Sequence, residues 1–422
     1  MQKLVIEEPY TFVPPARGTF WVHFFTPLLA PYLRASYGIA DVRLSGGDLL
    51  QRSLSAGAGV LLTPNHVRLS DPMVLGTLRT QLGVPTFSMA SWHLFKQDGF
   101  MGAANAWMMR NLGAFSVFRE GNDRAALSCA IDALVTGERP LVLFPEGVVS
   151  MANDNPGPLL EGTAVIARSA AKRRAKLADK EGRDRDGGVV IHPIGLRYEF
   201  LDDPAPAAEK VLSRLEQRLG KWPDPAVPQF VRTHQLGDAL LALREVEFTG
   251  AAKSGDVFDR AEDLIEDLLT PTEARLELDP GGTTVTRVKG VRTAILPLLT
   301  DPKATPAAKH KLRRELHAAF IAQQVHFCYP RGYLTEDAPP ERLLETLQRF
   351  DEDLNDAAAT VGRWRVRVDI GPAIPVPPDR PRGTADPLLA AVDAGIRRQI
   401  GVPVPEDPVA TVATRRRELV AA

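Results

Sequence analysis

The sequence predicts an α/β protein in which a mostly parallel β-sheet with flanking helices is interrupted by an all-helical insertion. Two observations support this fold class. Up to about residue 198, short β-leaning apolar runs alternate with segments of helical periodicity, as expected where helices connect parallel strands. A long stretch of helical pattern follows, and a strict strand alternation returns at residues 364–371. We expect the returning strand to rejoin the same sheet.

The composition excludes several classes of protein. A chain of 422 residues is long enough for two or three domains, or for one domain with a large insertion. Its 24% of charged residues and formal net charge of -1 are typical of a globular protein and predict no nucleic-acid partner. The two cysteines, Cys129 and Cys328, lack metal-ligand spacing, so we expect neither a bound metal nor a disulfide framework. The sequence does not predict an oligomeric state.

Residues 1–40 form a predicted helical segment close to a membrane. The first ten residues carry charges and a proline instead of the apolar centre of a secretory signal, which predicts a cytoplasmic protein. Residues 18–33 contain no Asp, Glu, Lys or Arg, but Pro27 and Pro31 interrupt the helix. This pattern favours peripheral contact with the inner membrane surface over a spanning helix. A buried pair of helices is an equally good interpretation.

The most informative stretch is residues 63–72, TPNHVRLSDP, which follow a short apolar strand at residues 59–62. Asp71 followed by Pro72 is a helix-start signal, so His66 and Asp71 are predicted to lie on a strand-to-helix turn. On one continuous helix their side chains would diverge by about 140°, whereas a turn can bring them together.

Such a pair is typical of general-base chemistry. The carboxylate of Asp71 would orient the imidazole of His66 and stabilise its protonated form, while the second ring nitrogen takes a proton from a hydroxyl group. The alternative is that Asp71 only caps the helix and His66 only lies in the turn.

The following segments repeat the α/β pattern and place Arg119 directly after a strand. Ligands of open α/β sheets bind beyond the carboxyl ends of the strands, so Arg119 is a candidate for phosphate binding. A surface arginine paired with Glu120 or Asp123 is the alternative. The predicted elements are a helix at 72–82, a strand at 84–90, a helix at 99–111, a strand at 114–118 and a helix at 123–135.

The next strand, at residues 141–144, ends in Pro145, Glu146 and Gly147, so a carboxylate and a flexible glycine are expected at the same edge of the sheet. A helix is predicted at 159–171. Residues 172–186 hold seven basic and four acidic residues and predict an exposed connection. A strand at 189–196 contains His192, a second candidate base with less support than His66.

From these patterns we divide the chain into four parts. The helical part shows predicted helices at 207–219, 237–245, 257–269 and 307–324, without a recognisable catalytic motif. A strand at 364–371 and a helix at 387–400 follow it. The parts are a membrane-proximal helical segment (1–40), an α/β domain (41–203), a helical insertion (204–360) and a C-terminal strand and helix that complete the α/β domain (361–422).

Taken together, the motifs resemble those of the glycerolipid acyltransferase family, of the 1-acyl-glycerol-3-phosphate acyltransferase type. The resemblance rests on four blocks in order and on a similar ending: His66 with Asp71 as its His-x4-Asp motif, residues 113–119, residues 144–147, residues 190–195, and residues 370–374.

The resemblance implies a reaction. His66, held by Asp71, would deprotonate the hydroxyl of a glycerol phosphate or lysophospholipid, which attacks the thioester of acyl-CoA or acyl carrier protein. No metal or other cofactor is implied. The resemblance implies that Arg119, with Glu146 and Gly147, binds the head group of the acceptor. Asn65 and Arg68 are further candidates for this contact, and Arg68 stands where the family commonly has a small polar residue.

One departure from the family pattern concerns the acceptor. Family members often continue the third block with threonine and then arginine or asparagine, whereas this chain has Val148 and Val149. The two valines keep open an acyltransferase with a different, non-phosphorylated acceptor. Two further alternatives stay open on other grounds: a catalytically silent lipid-binding protein that uses the helical part for interaction, and a hydrolase in which water replaces the acceptor at the same base.

Overall fold

The computed structural model describes residues 9–121, 123–181, 188–355, 358–381 and 386–404. Its centre is an eight-stranded sheet with the order β1-β7-β6-β2-β5-β3-β4, and β8 pairs with β6. The strands are β1 Ile39–Ser45, β2 Gly59–Pro64, β3 Phe87–Ser91, β4 Ala114–Val117, β5 Leu141–Val142, β6 Val189–Phe200, β7 Trp364–Ile370 and β8 Ile374–Pro375.

The sheet is mostly parallel, which confirms the predicted fold class. Five strand pairs are parallel, and only the pairs of β6 with β7 and with β8 are antiparallel among the described residues. The returning strand predicted at 364–371 is β7, which lies between β1 and β6. The helical stretch that precedes it in the chain therefore leaves one sheet and returns to it.

Helices cover both faces of the sheet. Along β2, Val60 and Leu62 face one core and Leu61 faces the other, as the alternation of a strand buried on both sides requires. The helices flanking the sheet are α1 Phe20–Phe25, α2 Leu29–Tyr37, α3 Gly47–Ser55, α4 Asp71–Leu75, α5 Thr77–Leu82, α6 Gly99–Asn111, α7 Arg124–Thr136, α8 Gly162–Glu181 and α15 Pro387–Ile400.

The remaining helices form a module that packs on its own core and on the sheet. Leu264, Val291 and Leu316 belong to the separate core, whereas Leu212 and Leu347 join the core beneath β7. The helical module comprises α9 Pro204–Arg218, α10 Gln229–Thr249, α11 Val257–Leu276, α12 Thr284–Thr300, α13 Pro306–Cys328 and α14 Pro340–Asn355.

Several helices extend beyond their predicted bounds, and the largest consequence concerns α8. The exposed connection expected at residues 172–186 is largely helical, because α8 continues to Glu181, and residues 182–187 lie outside the described parts of the chain. The segment is rich in Ala, Lys and Arg, which favour helix, and most of its side chains are exposed as expected, whereas Arg174 is buried. Its guanidinium is buried and donates to the carbonyls of Gly57, Leu134 and Val135, so this basic residue packs against the domain.

The N-terminal helices expose apolar side chains. Phe20 is 69% exposed and Phe24 56%, whereas Val22 and Leu33 are buried. A buried helix pair therefore does not describe this segment. Within the described ranges, none of the helices combines the length and the hydropathy that a membrane crossing requires.

Candidate active site

The loop between β2 and α4 carries the predicted motif. Pro64 ends β2, and the side chain of Asn65 then bonds the neighbouring strand at both of its polar atoms. Its Nδ2 donates to the carbonyl of Leu196 at 3.0 Å, and its Oδ1 accepts from the Leu196 amide at 2.7 Å. Asn65 therefore fixes the start of the loop on β6.

His66 and Asp71 lie together across this turn. The Nδ1 atom of His66 is 2.9 Å from Oδ2 of Asp71, which is fully buried. The same oxygen accepts from the amides of Val67 at 2.7 Å and Arg68 at 2.9 Å. Because a carboxylate only accepts, Nδ1 carries the proton, and Nε2 is left as the nitrogen that can accept one.

The imidazole is also held by packing. Its ring stacks on Phe144 with 3.9 Å between the ring centroids and 23° between the planes. The His66 side chain is 15% exposed, so it reaches the surface of the site with a fixed ring plane. A fixed base needs little reorganisation when a hydroxyl group arrives.

Tyr198 on β6 is a further member of this network that the sequence did not indicate. Its hydroxyl donates to Oδ1 of Asp71 and lies 2.9 Å from the hydroxyl of Ser70. Burial, and next the negative charge of Asp71, raise the pKa of Tyr198 well above its ordinary value. The Tyr198 hydroxyl therefore stays protonated and donates a hydrogen bond to Oδ1 of Asp71, the carboxylate oxygen that does not contact His66.

Glu146 lies beneath the loop. Its Oε1 accepts from the backbone amide of His66 and its Oε2 from that of Gly157, both at 2.8 Å. Burial raises the pKa of Glu146 to about 7, against the effect of these two amides, and the charge of Asp71 adds to the increase. Both carboxyl oxygens thus bond the backbone that shapes the site.

Gly147 and Arg119 form the next part of the rim. Gly147 has a φ of +72°, which strains a residue with a side chain, and an added Cβ would lie 2.4 Å from Cδ1 of Leu160 and force that side chain to shift. The exposed Arg119 donates from Nη1 to the Gly147 carbonyl at 2.7 Å. Since a guanidinium has five donor hydrogens, several remain for a ligand.

Arg292 on α12, in the helical module, lies within electrostatic range of Arg119. Burial lowers the pKa of Arg292, the negative charge of Glu120 opposes that change, and the positive charge of Arg119 adds to it. Among the described residues the Nε atom of Arg292 is buried without a hydrogen-bond partner. Glu120 is itself paired with His93, whose Nε2 lies 3.1 Å from Oε1. Two arginines from distant parts of the chain thus share one electrostatic environment.

Arg68 and His192 take interior positions. The guanidinium of Arg68 lies over the rings of Trp364 and Tyr198, at 4.0 and 4.8 Å from their centroids. His192 is fully buried, with Nδ1 2.8 Å from the Gly371 carbonyl and Nε2 2.9 Å from the Ser53 hydroxyl. Both of its ring nitrogens are engaged, which leaves His66 as the better-placed base.

No cluster of three or more metal-binding side chains occurs in the parts of the chain that the structure describes.

Comparison with known proteins gives one match. Residues 42–197 match the family model described as Acyltransferase, and this range contains His66, Asp71, Arg119, Glu146 and Tyr198. No curated protein and no solved structure gives a significant match.

Proposed function

Since residues 42–197 are an acyltransferase domain of the glycerolipid acyltransferase family, we propose that the protein is an O-acyltransferase for a lipid precursor. The acyl donor is acyl-CoA or acyl carrier protein, and the acceptor is the hydroxyl of a glycerol phosphate or lysophospholipid. The observation that carries this proposal is the 2.9 Å contact between His66 and the buried Asp71, which leaves the second imidazole nitrogen to act as a base.

The proposed reaction proceeds without a covalent acyl-enzyme. Nε2 of His66 takes the hydroxyl proton as the acceptor oxygen attacks the thioester carbonyl, and Asp71 stabilises the resulting imidazolium. The tetrahedral intermediate then collapses, the carbon–sulfur bond breaks, and the leaving sulfur takes the proton back from His66. The products are the ester and the free thiol of the carrier, and His66 is neutral again.

The head group of the acceptor is proposed to bind at Arg119. Arg119 is exposed at the rim and keeps donor hydrogens for a ligand. Arg292 adds a second positive charge against the single negative charge of Glu120, so the rim favours an anion such as a phosphate group. This supports a phosphorylated acceptor even though Val148 and Val149 supply no polar side-chain contacts.

An acceptor panel tests the proposed function together with the role of Arg119. Purified protein is supplied with labelled acyl-CoA or acyl carrier protein and with glycerol 3-phosphate, lysophospholipids or neutral alcohols, and the products are identified. We expect transfer to a phosphorylated acceptor, with a KM for that acceptor about 10- to 100-fold higher in Arg119→Ala, because a charge-assisted contact is lost. Arg314→Ala, at an exposed arginine on α13, is the matched control.

Each other outcome of the panel favours a named alternative. Transfer to neutral acceptors alone would reject the phosphorylated substrate. Release of fatty acid that does not depend on an acceptor would favour a hydrolase, and lipid binding without any turnover would favour a silent binding protein.

We also propose that the protein works at a membrane, as a peripheral protein on the cytoplasmic side. Exposed apolar side chains of α1 and α2 continue onto α6, where Phe100 is 85% exposed. Trp21 and Trp107 join the two parts, with 4.7 Å between their ring centroids. A continuous exposed apolar surface of this kind is typical of proteins that dock on a bilayer.

Two substitutions on this surface test the membrane proposal. Phe24→Ser combined with Phe100→Ser is expected to lower partitioning onto phospholipid vesicles about 100-fold or more, since each buried phenylalanine contributes about 1.5–3 kcal/mol. Co-sedimentation with vesicles is the measurement. The control is Trp222→Ser, at a side chain that is 92% exposed on the helical module. Equal loss in control and test variants would argue against a defined membrane face.

A further inference from the structure

Helix α14 of the helical module holds the chain that follows the Glu146 turn. Arg342 donates from Nε and Nη2 to the carboxylate of Asp154 at 3.1–3.2 Å. About two helical turns further along, Arg349 donates from Nε and Nη2 to the carbonyl of Met151 at 3.1 and 2.8 Å. Met151 has a φ of +54°, which non-glycine residues rarely adopt, so α14 holds a turn that would otherwise relax.

Glu345 lies between these two arginines on α14 and is 2% exposed. Its Oε2 accepts from the backbone amide of Asn153 at 3.3 Å and from the hydroxyl of Tyr333. Asn153 in turn bonds the backbone of Tyr198 twice, donating to its carbonyl at 2.8 Å and accepting from its amide at 2.7 Å. Glu345 is thus connected, through Asn153, to the backbone of Tyr198, whose hydroxyl donates to Asp71.

The same segment also bonds the catalytic loop directly. The amide of Ser150 donates to the His66 carbonyl at 2.8 Å, and the Ser150 hydroxyl donates to the same carbonyl at 3.1 Å. The segment at residues 150–154 therefore has α14 on one side and the backbone of His66 on the other.

A second route joins Glu345 to the loop through Arg68. The Nη2 atom of Arg68 is 4.0 Å from Oε1 of Glu345, and both atoms are buried without a hydrogen-bond partner among the described residues. The amide of Arg68 donates to Oδ2 of Asp71. Burial raises the pKa of Glu345, and the positive charge of Arg68 opposes that change, so the two side chains are electrostatically coupled. Removal of Glu345 would take this partner from Arg68 and is expected to loosen the loop.

We propose that Glu345 is a positioning residue for the reaction, which holds the loop of His66 and Asp71 in place from the helical module, through Arg68 and Asn153. The helical module then completes the active site of the α/β domain. This inference rests on the proposed function. It assigns no contact between Glu345 and substrate.

The test compares Glu345→Ala and Glu345→Gln with the matched control Glu341→Gln, at a carboxylate in the first turn of the same helix. Steady-state kinetics on the acceptor identified in the panel give kcat and KM. We expect kcat to fall about 10- to 100-fold in Glu345→Ala with KM little changed, because misplacement of a base acts on the chemical step. Glu345→Gln keeps an acceptor for Asn153 but loses the charge opposite Arg68, so its kcat should lie in between.

Hydrogen exchange, followed by mass spectrometry on the whole protein, separates positioning from general loss of structure. The amides of Val67 and Arg68, which donate to Asp71, should exchange at least several-fold faster in Glu345→Ala, while the core helix α11 is unchanged. If Glu345→Ala does not melt cooperatively, Glu345→Gln is used for the same comparison.

Two results would overturn the proposal: wild-type kcat and wild-type exchange of the loop in both Glu345 variants, or faster exchange that includes α11 to the same degree. The exchange measurement needs no substrate. If the wild-type protein transfers no acyl group to any acceptor, the proposed function fails, and the exchange of Val67 and Arg68 still decides whether Glu345 holds the loop.

Discussion

Replacement of His66 by alanine is expected to lower kcat about 10²- to 10⁴-fold, the range that a positioned general base contributes. The imidazole pairs with Asp71 and is a basic group, unlike the phenol of Tyr198 that contacts the same carboxylate, and it is fixed by the stack on Phe144. KM should change little, because the ring acts on the proton during the chemical step and the acceptor head group is proposed to bind at Arg119. Acyl transfer by purified protein is the measurement, with kcat and KM separated.

The control for this prediction is His310→Ala, at an exposed histidine on α13. Vesicle binding should be the same in both variants and in the wild type. A His66→Ala protein with kcat within about threefold of the wild type would mean that another group takes the proton, and the dyad would then have a structural role only.

Replacement of Asp71 by asparagine is expected to have an effect of similar size, about 10²- to 10⁴-fold on kcat. The carboxylate accepts from the His66 ring, from the amides of Val67 and Arg68, and from the hydroxyl of Tyr198. The asparagine oxygen can accept from the His66 ring only if the amide nitrogen faces the hydroxyl of Tyr198, and in either orientation the imidazolium formed during the reaction loses the negative charge that stabilises it. We also expect lower stability, because each buried donor left without a partner costs about 1–3 kcal/mol.

Kinetics and thermal unfolding together test this second prediction. Asp179→Asn, on the exposed face of α8, makes the same chemical change away from the loop and should match the wild type in both measurements. An Asp71→Asn protein that is less stable but equally active would contradict the proposed role in orienting the base.

The sequence predicted most accurately the helices and strands whose ends carry capping or turn residues. Helix α15 matches its predicted range, because Asp386 caps its first turn, a proline follows, and Gly401 ends it in the left-handed region. Strand β1 carries no such signal, and the sequence did not indicate it. It lies at the edge of the sheet, its side chains are mostly half-buried or exposed, and it pairs with β7, which is far away in the chain.

The residues of the candidate site likewise fall into two groups, those that a local motif predicts and those that only the folded structure brings together. His66 and Asp71 are close in the chain, so a short motif was enough to pair them. Asn65 and Glu146 were predicted to bind the acceptor, and that role stays a prediction, but their polar side-chain atoms bond backbone groups in the structure. No local pattern could indicate Tyr198, Arg292 or Glu345, because tertiary packing brings them to the loop from other parts of the chain.

The position of β7 in the sheet also sets an order of events during synthesis. Strands β1 and β6 both pair with β7, which is translated last of the three. At about 5–20 residues per second, roughly ten to thirty seconds pass between the emergence of β6 and that of β7, and in this interval both strands have an unpaired edge. The helices of the module are made in that interval and can fold on their own core first. A ribosome that stops before residue 364 therefore releases a chain that contains His66, Asp71 and Glu345 but has an unfinished sheet beneath them.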